Sequence, residues 1–328
     1  MDIRDDLGQR NVMAGSDILR LKRGERFMDK RGIFKAVIAV IALLSSTCMG
    51  QAPASTAGTA PSDGIEPALM AKAKAGNPDA EFLVGTKYEL GNQVKKDPAQ
   101  AAEWYRKAAE KGDVRAQHSL GVLYEYGNGV PTDAGIAVQW YRKAAEKGFA
   151  PAQFSLGLCY ADGKGVAQDF KQAMTWYESA AQQKNADALV NLAYLYHNGM
   201  GVARDEVRSL EYVRQAAEAG SPEAQFQLGM MFDQGEQNLP IDEGMARKWL
   251  HRSAAQGHVP AQFNYAMLLK AEPEEVYFWL GLATPRLSGK TAETSKELRE
   301  KAGKRLSPSE RTDIDRRVEA WHPVVEQP

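Results

Sequence analysis

The chain has 328 residues, with 41 Lys and Arg against 42 Asp and Glu, and only two cysteines, Cys48 and Cys159. This near-neutral balance leaves no basic footprint for nucleic acid. Two cysteines exclude a disulfide framework.

Residues 1–27 are charged and aperiodic. Met28 to Lys35 is basic, Ala36 to Leu44 is an apolar run, and Ala52-Pro53-Ala54 offers small residues for cleavage. Residues 28–54 read as a secretory signal peptide. The apolar run falls far short of the roughly 20 residues a membrane-spanning helix needs. Signal peptides begin close to their basic segment, so Met28 is read as the true start and 1–27 as an extension from a mis-set start. Leu44-Ser45-Ser46-Thr47-Cys48 faintly resembles a bacterial lipoprotein signal. Ser45 stands where Leu is wanted and Thr47 where a smaller residue is usual, so Cys48 is read as discarded. Membrane attachment would follow only from lipidation there. Residues 55–65 close this part as a flexible linker.

From there the chain repeats. Trp104-Tyr105, Trp140-Tyr141, Trp176-Tyr177, Tyr212-Val213 and Trp249-Leu250 follow one another at steps of 36, 36, 36 and 37. A fixed period of this size signals a solenoid. In each copy a first helix, A, carries an alanine column (Ala80, Ala116, Ala152, Ala188, Ala224, Ala261). Five residues on stand Gly85, Gly121, Gly157, Ala193, Gly229 and Ala266. Ala116, Leu120, Leu123 and Tyr124 mark the buried face. A glycine inside a helix costs about 1 kcal/mol against alanine, so its recurrence points to close approach of two helix backbones. A glycine loop follows, such as Gly127-Asn128-Gly129-Val130, and closes on Asp97, Asp133, Asp169, Asp205 or Asp242. Asp is a preferred N-cap and starts helix B. Helix B carries the Trp-Tyr pair and paired alanines, and ends at Gly112, Gly148, Gly220 or Gly257, where a C′ glycine is expected. Copy three has Lys184 in that slot, with Asn185 or a reshaped turn expected to compensate.

These residues resemble the Sel-one-like repeat (SLR) family, a relative of the tetratricopeptide repeats. Copies two and three match its A-x-x-x-LG-x-x-Y … G-x-GV-x-x-D … WY-x-x-AA pattern nearly throughout. Copy one departs at Gly91-Asn92-Gln93-Val94, copy four at Tyr212, and copy five carries one inserted residue before Asp242. The resemblance implies an all-α fold, a right-handed superhelical solenoid of antiparallel helix pairs, used for protein–protein contact rather than chemistry. It covers residues 66–283: a capping helix from Glu66, five full repeats and a degenerate sixth. Residues 284–328 form a helical cap, whose last helix starts with the capping box Ser307-Pro308-Ser309-Glu310.

No catalytic, cofactor or metal site is expected. His118, His197, His251, His258 and His322 have no ligand spacing with one another or with a cysteine, and no Ser-x-x-Lys nucleophile occurs. Cys159 reads as a buried apolar residue. Some cysteine-rich secreted members of the resembled family are associated with penicillin binding. They pair cysteines within each repeat, as this chain does not. The column of Phe82, His118, Phe154, Val190, Phe226 and Phe263 is assigned to packing between repeats. In tetratricopeptide-like arrays helix A lines the concave face. A second stripe on it, beside the core, holds Ser119, Val122 and Tyr126; Ser155, Leu158 and Asp162; Asn191, Tyr194 and Asn198; Gln227, Met230 and Gln234. Its amides, hydroxyls, tyrosines and methionine suit an extended peptide or a partner helix. The same residues could instead be covered between adjacent A helices. The expected protein is a monomeric, exported, periplasmic or secreted scaffold without cofactor, holding a protein or peptide partner. The alternatives are a secreted hydrolase acting on cell wall or β-lactam, which requires a cleft of convergent titratable groups, and an effector acting on a host protein.

Overall fold

Every repeat folds as one helical hairpin, and its caps set where each helix begins and ends. The computed structural model describes residues 64–328, except 238, 270, 325, 327 and 328. The leader, Cys48 and the linker up to residue 63 lie outside the described residues. The helices are α1 (Pro67–Lys74), α2 (Pro78–Leu90), α3 (Pro98–Glu110), α4 (Val114–Tyr126), α5 (Ala134–Glu146), α6 (Ala150–Asp162), α7 (Phe170–Ala181) and α8 (Ala186–Asn198). They continue as α9 (Glu206–Glu218), α10 (Pro222–Gln234), α11 (Glu243–Ala255), α12 (Val259–Leu268), α13 (Pro273–Ala283), α14 (Gly289–Gly303) and α15 (Pro308–Glu319). No strand occurs among the described residues. Even-numbered α2 to α12 are A helices, and odd-numbered α3 to α13 are B helices. Together they form a solenoid of antiparallel pairs.

All five loop aspartates cap their B helices, accepting from backbone N–H groups of the first turn. The backbone N–H of each aspartate donates to the carbonyl of Tyr88, Tyr124, Tyr160, Tyr196 or Phe232, at 2.9 Å every time. One residue therefore both starts helix B and ties the loop to helix A. At the other turn, Lys184 takes the C′ place without any reshaping. It adopts φ +59° and keeps the backbone bonds that Gly148 makes one repeat earlier, while Asn185 caps α8. The loop glycines answer to a neighbour as well. A Cβ on Gly129 would stand 2.2 Å from the Pro98 carbonyl carbon, at the start of the preceding B helix. In copy one the equivalent residue, Gln93, is exposed at φ +65°. Helix α1 before it begins only at Pro67, five residues after the position that corresponds to Pro98.

The helix-A glycines answer to a ring as well as to a backbone. A Cβ on Gly85 or Gly121 would stand 3.3 or 3.2 Å from the Ala101 or Ala137 carbonyl oxygen of helix B, and nearer still to an aromatic ring. A Cβ at Gly85, Gly121 or Gly157 would lie 2.6–2.7 Å from Tyr105, Tyr141 or Tyr177, the tyrosine of the same hairpin. These three rings are fully buried. In copy four alanine replaces the glycine at Ala193 and valine replaces the tyrosine at Val213, and both are buried. The tryptophans face the other way. Trp104, Trp140, Trp176 and Trp249 pack on clusters that include the paired alanines or Ala73 of the preceding B helix. Each Trp-Tyr dipeptide thus plugs its own hairpin with the tyrosine and joins it to the one before with the tryptophan.

A polar ladder runs along the edge where B helices end and A helices begin. Lys111 Nζ donates to the Gly76 carbonyl at 3.0 Å, Lys147 Nζ to Gly112 at 2.9 Å, Gln183 Nε2 to Gly148 at 3.0 Å and Gln256 Nε2 to Gly220 at 2.9 Å. Beside it Gln117, Gln153, Gln225 and Gln262 donate to the carbonyls of Ala109, Ala145, Ala217 and Ala254. Copy four has Leu189 and Ala219 in these slots, and they pack in one apolar cluster. At the far end α14 and α15 cover α13: Arg299 donates to the Tyr277 carbonyl of α13 at 3.2 Å and to Asp315 of α15 at 2.6 Å. The tail then returns along the ladder edge. Val324 N–H donates to the Ala255 carbonyl at 2.8 Å. Glu326 takes Arg252 Nε at 2.9 Å, Arg252 Nη2 at 2.5 Å and Gln225 Nε2 at 2.8 Å.

Candidate functional site

The candidate stripe occupies four successive A helices, α4, α6, α8 and α10, and the structure divides it. Tyr126 and Tyr194 are 44% and 54% exposed. Asp162 and Asn198 are exposed, while Ser119, Asn191, Gln227 and Gln234 are half-buried. Ser155 and Met230 are only 7% and 6% exposed and leave the candidate surface. Ser155 Oγ meets His118 Nε2 from the neighbouring helix at 3.1 Å, and Met230 packs in the cluster of Phe226 and Phe263. The half-buried Asn191 donates its amide to the Asp187 carbonyl at 2.8 Å. Asn198 donates likewise to the Tyr194 carbonyl, which spends one of its donors within its own helix.

A charged group beside Tyr126 was not legible as a site. Glu125 accepts from Tyr141 Oη at 2.6 Å and from Lys164 Nζ at 2.7 Å, the lysine coming from the next loop. Lys164 Nζ also lies 5.2 Å from the Tyr126 ring centroid. Burial, then the Glu125 charge, raises the Tyr126 hydroxyl well above its ordinary value. Burial also raises the Asp162 carboxyl, against the pull of Lys164. Tyr105 repeats the contact with Glu89 at 2.5 Å. The later copies have Ala161, His197 and Asp233 in that slot, so no column marks it.

The remaining titratable groups are dispersed. Burial pulls the His118 imidazole down to about 4. Burial and then Arg286 do the same for His258, also to about 4. The aromatic column touches both its own hairpin and the next. His118 lies 5.5 Å from Tyr141 and 5.7 Å from Phe149, and Phe154 lies 5.9 Å from Tyr177. Cys159 is buried, and burial followed by Glu125 pushes its thiol up to about 12, far from the range of a thiolate nucleophile. Among the described residues no three His, Cys, Asp or Glu side chains gather as a metal set, and no helix is long and apolar enough to cross a membrane.

The sequence model of the Sel1 repeat family matches residues 78–113, 114–149, 150–185, 186–221 and 222–258, five units that tile more than half of the chain without a gap. The chain belongs to the Sel1 repeat family. Its fold is similar to that of a Sel1 repeat protein from Oxalobacter formigenes, at 31% identity and a TM-score of 0.58, over 70% of this chain and 89% of that one. It is also similar to a protective antigen of uropathogenic Escherichia coli with an SLR fold, at 29% identity and a TM-score of 0.42, over 77% of this chain and 63% of that one. No curated protein is matched. Each family unit runs from the start of one A helix to the start of the next, so the Trp-Tyr pair or its variant and the loop aspartate fall inside every unit. Sel1 repeat proteins are in general protein–protein interaction scaffolds.

Proposed function

We propose that the chain is an exported, non-enzymatic scaffold that holds a partner protein or peptide on its A-helix face. The exposure of Tyr126 and Tyr194, two rings on one side of α4 and α8, carries this reading. Each offers a rigid apolar body and a hydroxyl at low entropic cost, the profile of interface anchors. Asp162, Asn198, Gln227 and Gln234 supply polar groups around them, a mixture suited to an extended or helical peptide. Export rests on the basic start and apolar run of residues 28–54.

The test is capture from an envelope extract by the full chain and by a Tyr126→Ala, Tyr194→Ala double variant. The wild type should retain a partner that the variant loses, with melting temperatures within about 2 °C of each other, since neither ring is in the core. Equal capture by the two proteins would refute this face as the site.

A further inference from the structure

The tail seat has a counterpart at the other end of the array. Glu326 sits between Gly220, Gln225 and Arg252, whose guanidinium lies 4.8 Å over the Trp249 ring. Four repeats earlier the same slots are Gly76, Glu81, Lys107 and Trp104, because copy five's one inserted residue shifts only its B helix. At those slots lies a cavity of about 420 Å³, lined also by Lys74 and Lys111. One difference changes its chemistry. In the tail seat Gln225 donates from Nε2 to the Glu326 carboxylate, while its Oε1 accepts from Gln256. In the first-repeat cavity Glu81 Oε1 accepts from Lys111 at 2.5 Å. Glu81 is 2% exposed, and its Oε2 has no hydrogen-bond partner. The back wall therefore offers an acceptor where the tail seat offers a donor. At the rim Lys107, 4.0 Å over the Trp104 ring, takes the place of Arg252.

We propose that this cavity is a second binding site, away from the A-helix face, for an extended segment of a partner polypeptide that inserts a carboxamide side chain. The tail shows the backbone path: an N–H two residues before the inserted side chain donates to a carbonyl in the last turn of helix B. Glu110 supplies that carbonyl in the first repeat, where the tail uses Ala255. A glutamine amide donates to Glu81 Oε2 and accepts from Lys107, so the unpartnered buried oxygen gains its donor. A carboxylate there faces the Glu81 carboxylate. Leaving a buried acceptor unmade weakens binding by about tenfold or more, enough to select the side chain.

Two peptides with the tail's sequence pattern, Trp-His-Pro-Val-Val-X-Ala-Pro with X as Gln or Glu, would be titrated into the full chain by calorimetry. The Gln peptide should bind saturably and at least about tenfold more tightly than the Glu peptide, the equivalent of one lost polar pairing. Lys107 is exposed, so Lys107→Ala keeps the fold and should weaken the Gln peptide by a similar factor. Glu81→Gln copies the tail seat and should reverse the preference. If circular dichroism shows that Glu81→Gln does not fold, Lys107→Ala decides alone. No saturable binding, equal affinity for the two peptides, or affinity untouched by Lys107→Ala would overturn the proposal.

Discussion

Gly157→Ala is the sharpest test of how each hairpin is filled. Added to a helix interior, the methyl group should stabilise by about 1 kcal/mol. It would stand 2.6 Å from Tyr177 Cδ1 and Cε1, about 1 Å inside ordinary carbon–carbon contact. The ring cannot swing clear, because it is 0% exposed and lies 5.9 Å from Phe154. Overpacking of this kind costs about 1–3 kcal/mol, so after the helix gain the net effect is a loss of up to about 2 kcal/mol. Tyr177→Val alone opens a void, a cost of about 2–4 kcal/mol. It also removes a buried hydroxyl that has no partner, which returns about 1 kcal/mol of that loss. Together the two changes reproduce the natural pair Ala193 and Val213. The double variant should therefore be more stable than the sum of the singles by about 1–2 kcal/mol. Urea denaturation of all four proteins, followed by circular dichroism with slopes compared for loss of cooperativity, closes the cycle. A Gly157→Ala protein at least as stable as wild type, or costs additive within about 0.5 kcal/mol, would show that the ring does not demand the glycine.

Three further outcomes are expected. His118 is held at about 4 when folded, against about 6.5 when unfolded. Its contribution is intact above pH 6.5 and lost as pH falls through 4, on the order of 3 kcal/mol. Asp187, raised to about 6 by burial and then Glu223, works the other way, its stabilisation being full in acid and lost as pH rises through 6. The gap between wild type and His118→Phe should therefore change between pH 6.5 and 4 in denaturation curves, and a constant gap would contradict the burial of the imidazole. Lys184→Gly should raise stability by about 0.5–1 kcal/mol, because a non-glycine residue in the left-handed region costs about 1–2 kcal/mol and the greater freedom of glycine in the unfolded chain offsets about half of that relief; an unchanged urea midpoint would count against it. Arg252→Ala should speed hydrogen exchange at the Val324 amide while lowering global stability by less than about 1 kcal/mol, the range of a partly exposed ion pair. The Glu326 carboxyl is lowered by Arg252 and further by Gln225, so tail docking should hold above the ordinary carboxylate range and fade as pH falls through its depressed value.

The hairpins were legible because their signals repeat. Asp97, Asp133, Asp169, Asp205 and Asp242 cap helices in all five copies, and the alanine column is buried throughout. The glycines signal the close approach of helix B, but only the paired change at Ala193 and Val213 tells that the nearest atoms belong to a tyrosine ring. The stripe was harder. A helical wheel gives the angle of Ser155 and Met230 on their own helices but not the tilt toward a neighbour, and His118 and Phe263 close over them. Glu125 with Tyr141 has an equivalent only in Glu89 with Tyr105, too few for a column. Glu326 reaches a seat up to 101 positions away, and the tail that carries it lies outside the repeat and leaves no periodic trace.

Gln93 sets the first hairpin apart from those behind it. In every later copy with a regular loop, a glycine leaves room for the start of the preceding B helix, and Gly129, Gly165 and Gly201 all sit within 3 Å of that backbone when given a Cβ. A hairpin spliced in ahead of the first would bring its B helix against the Gln93 side chain and force that loop to change, as one inserted residue accompanies Gln237, in the same slot of copy five at φ +52°. Lengthening by duplication is therefore simpler behind this unit than before it.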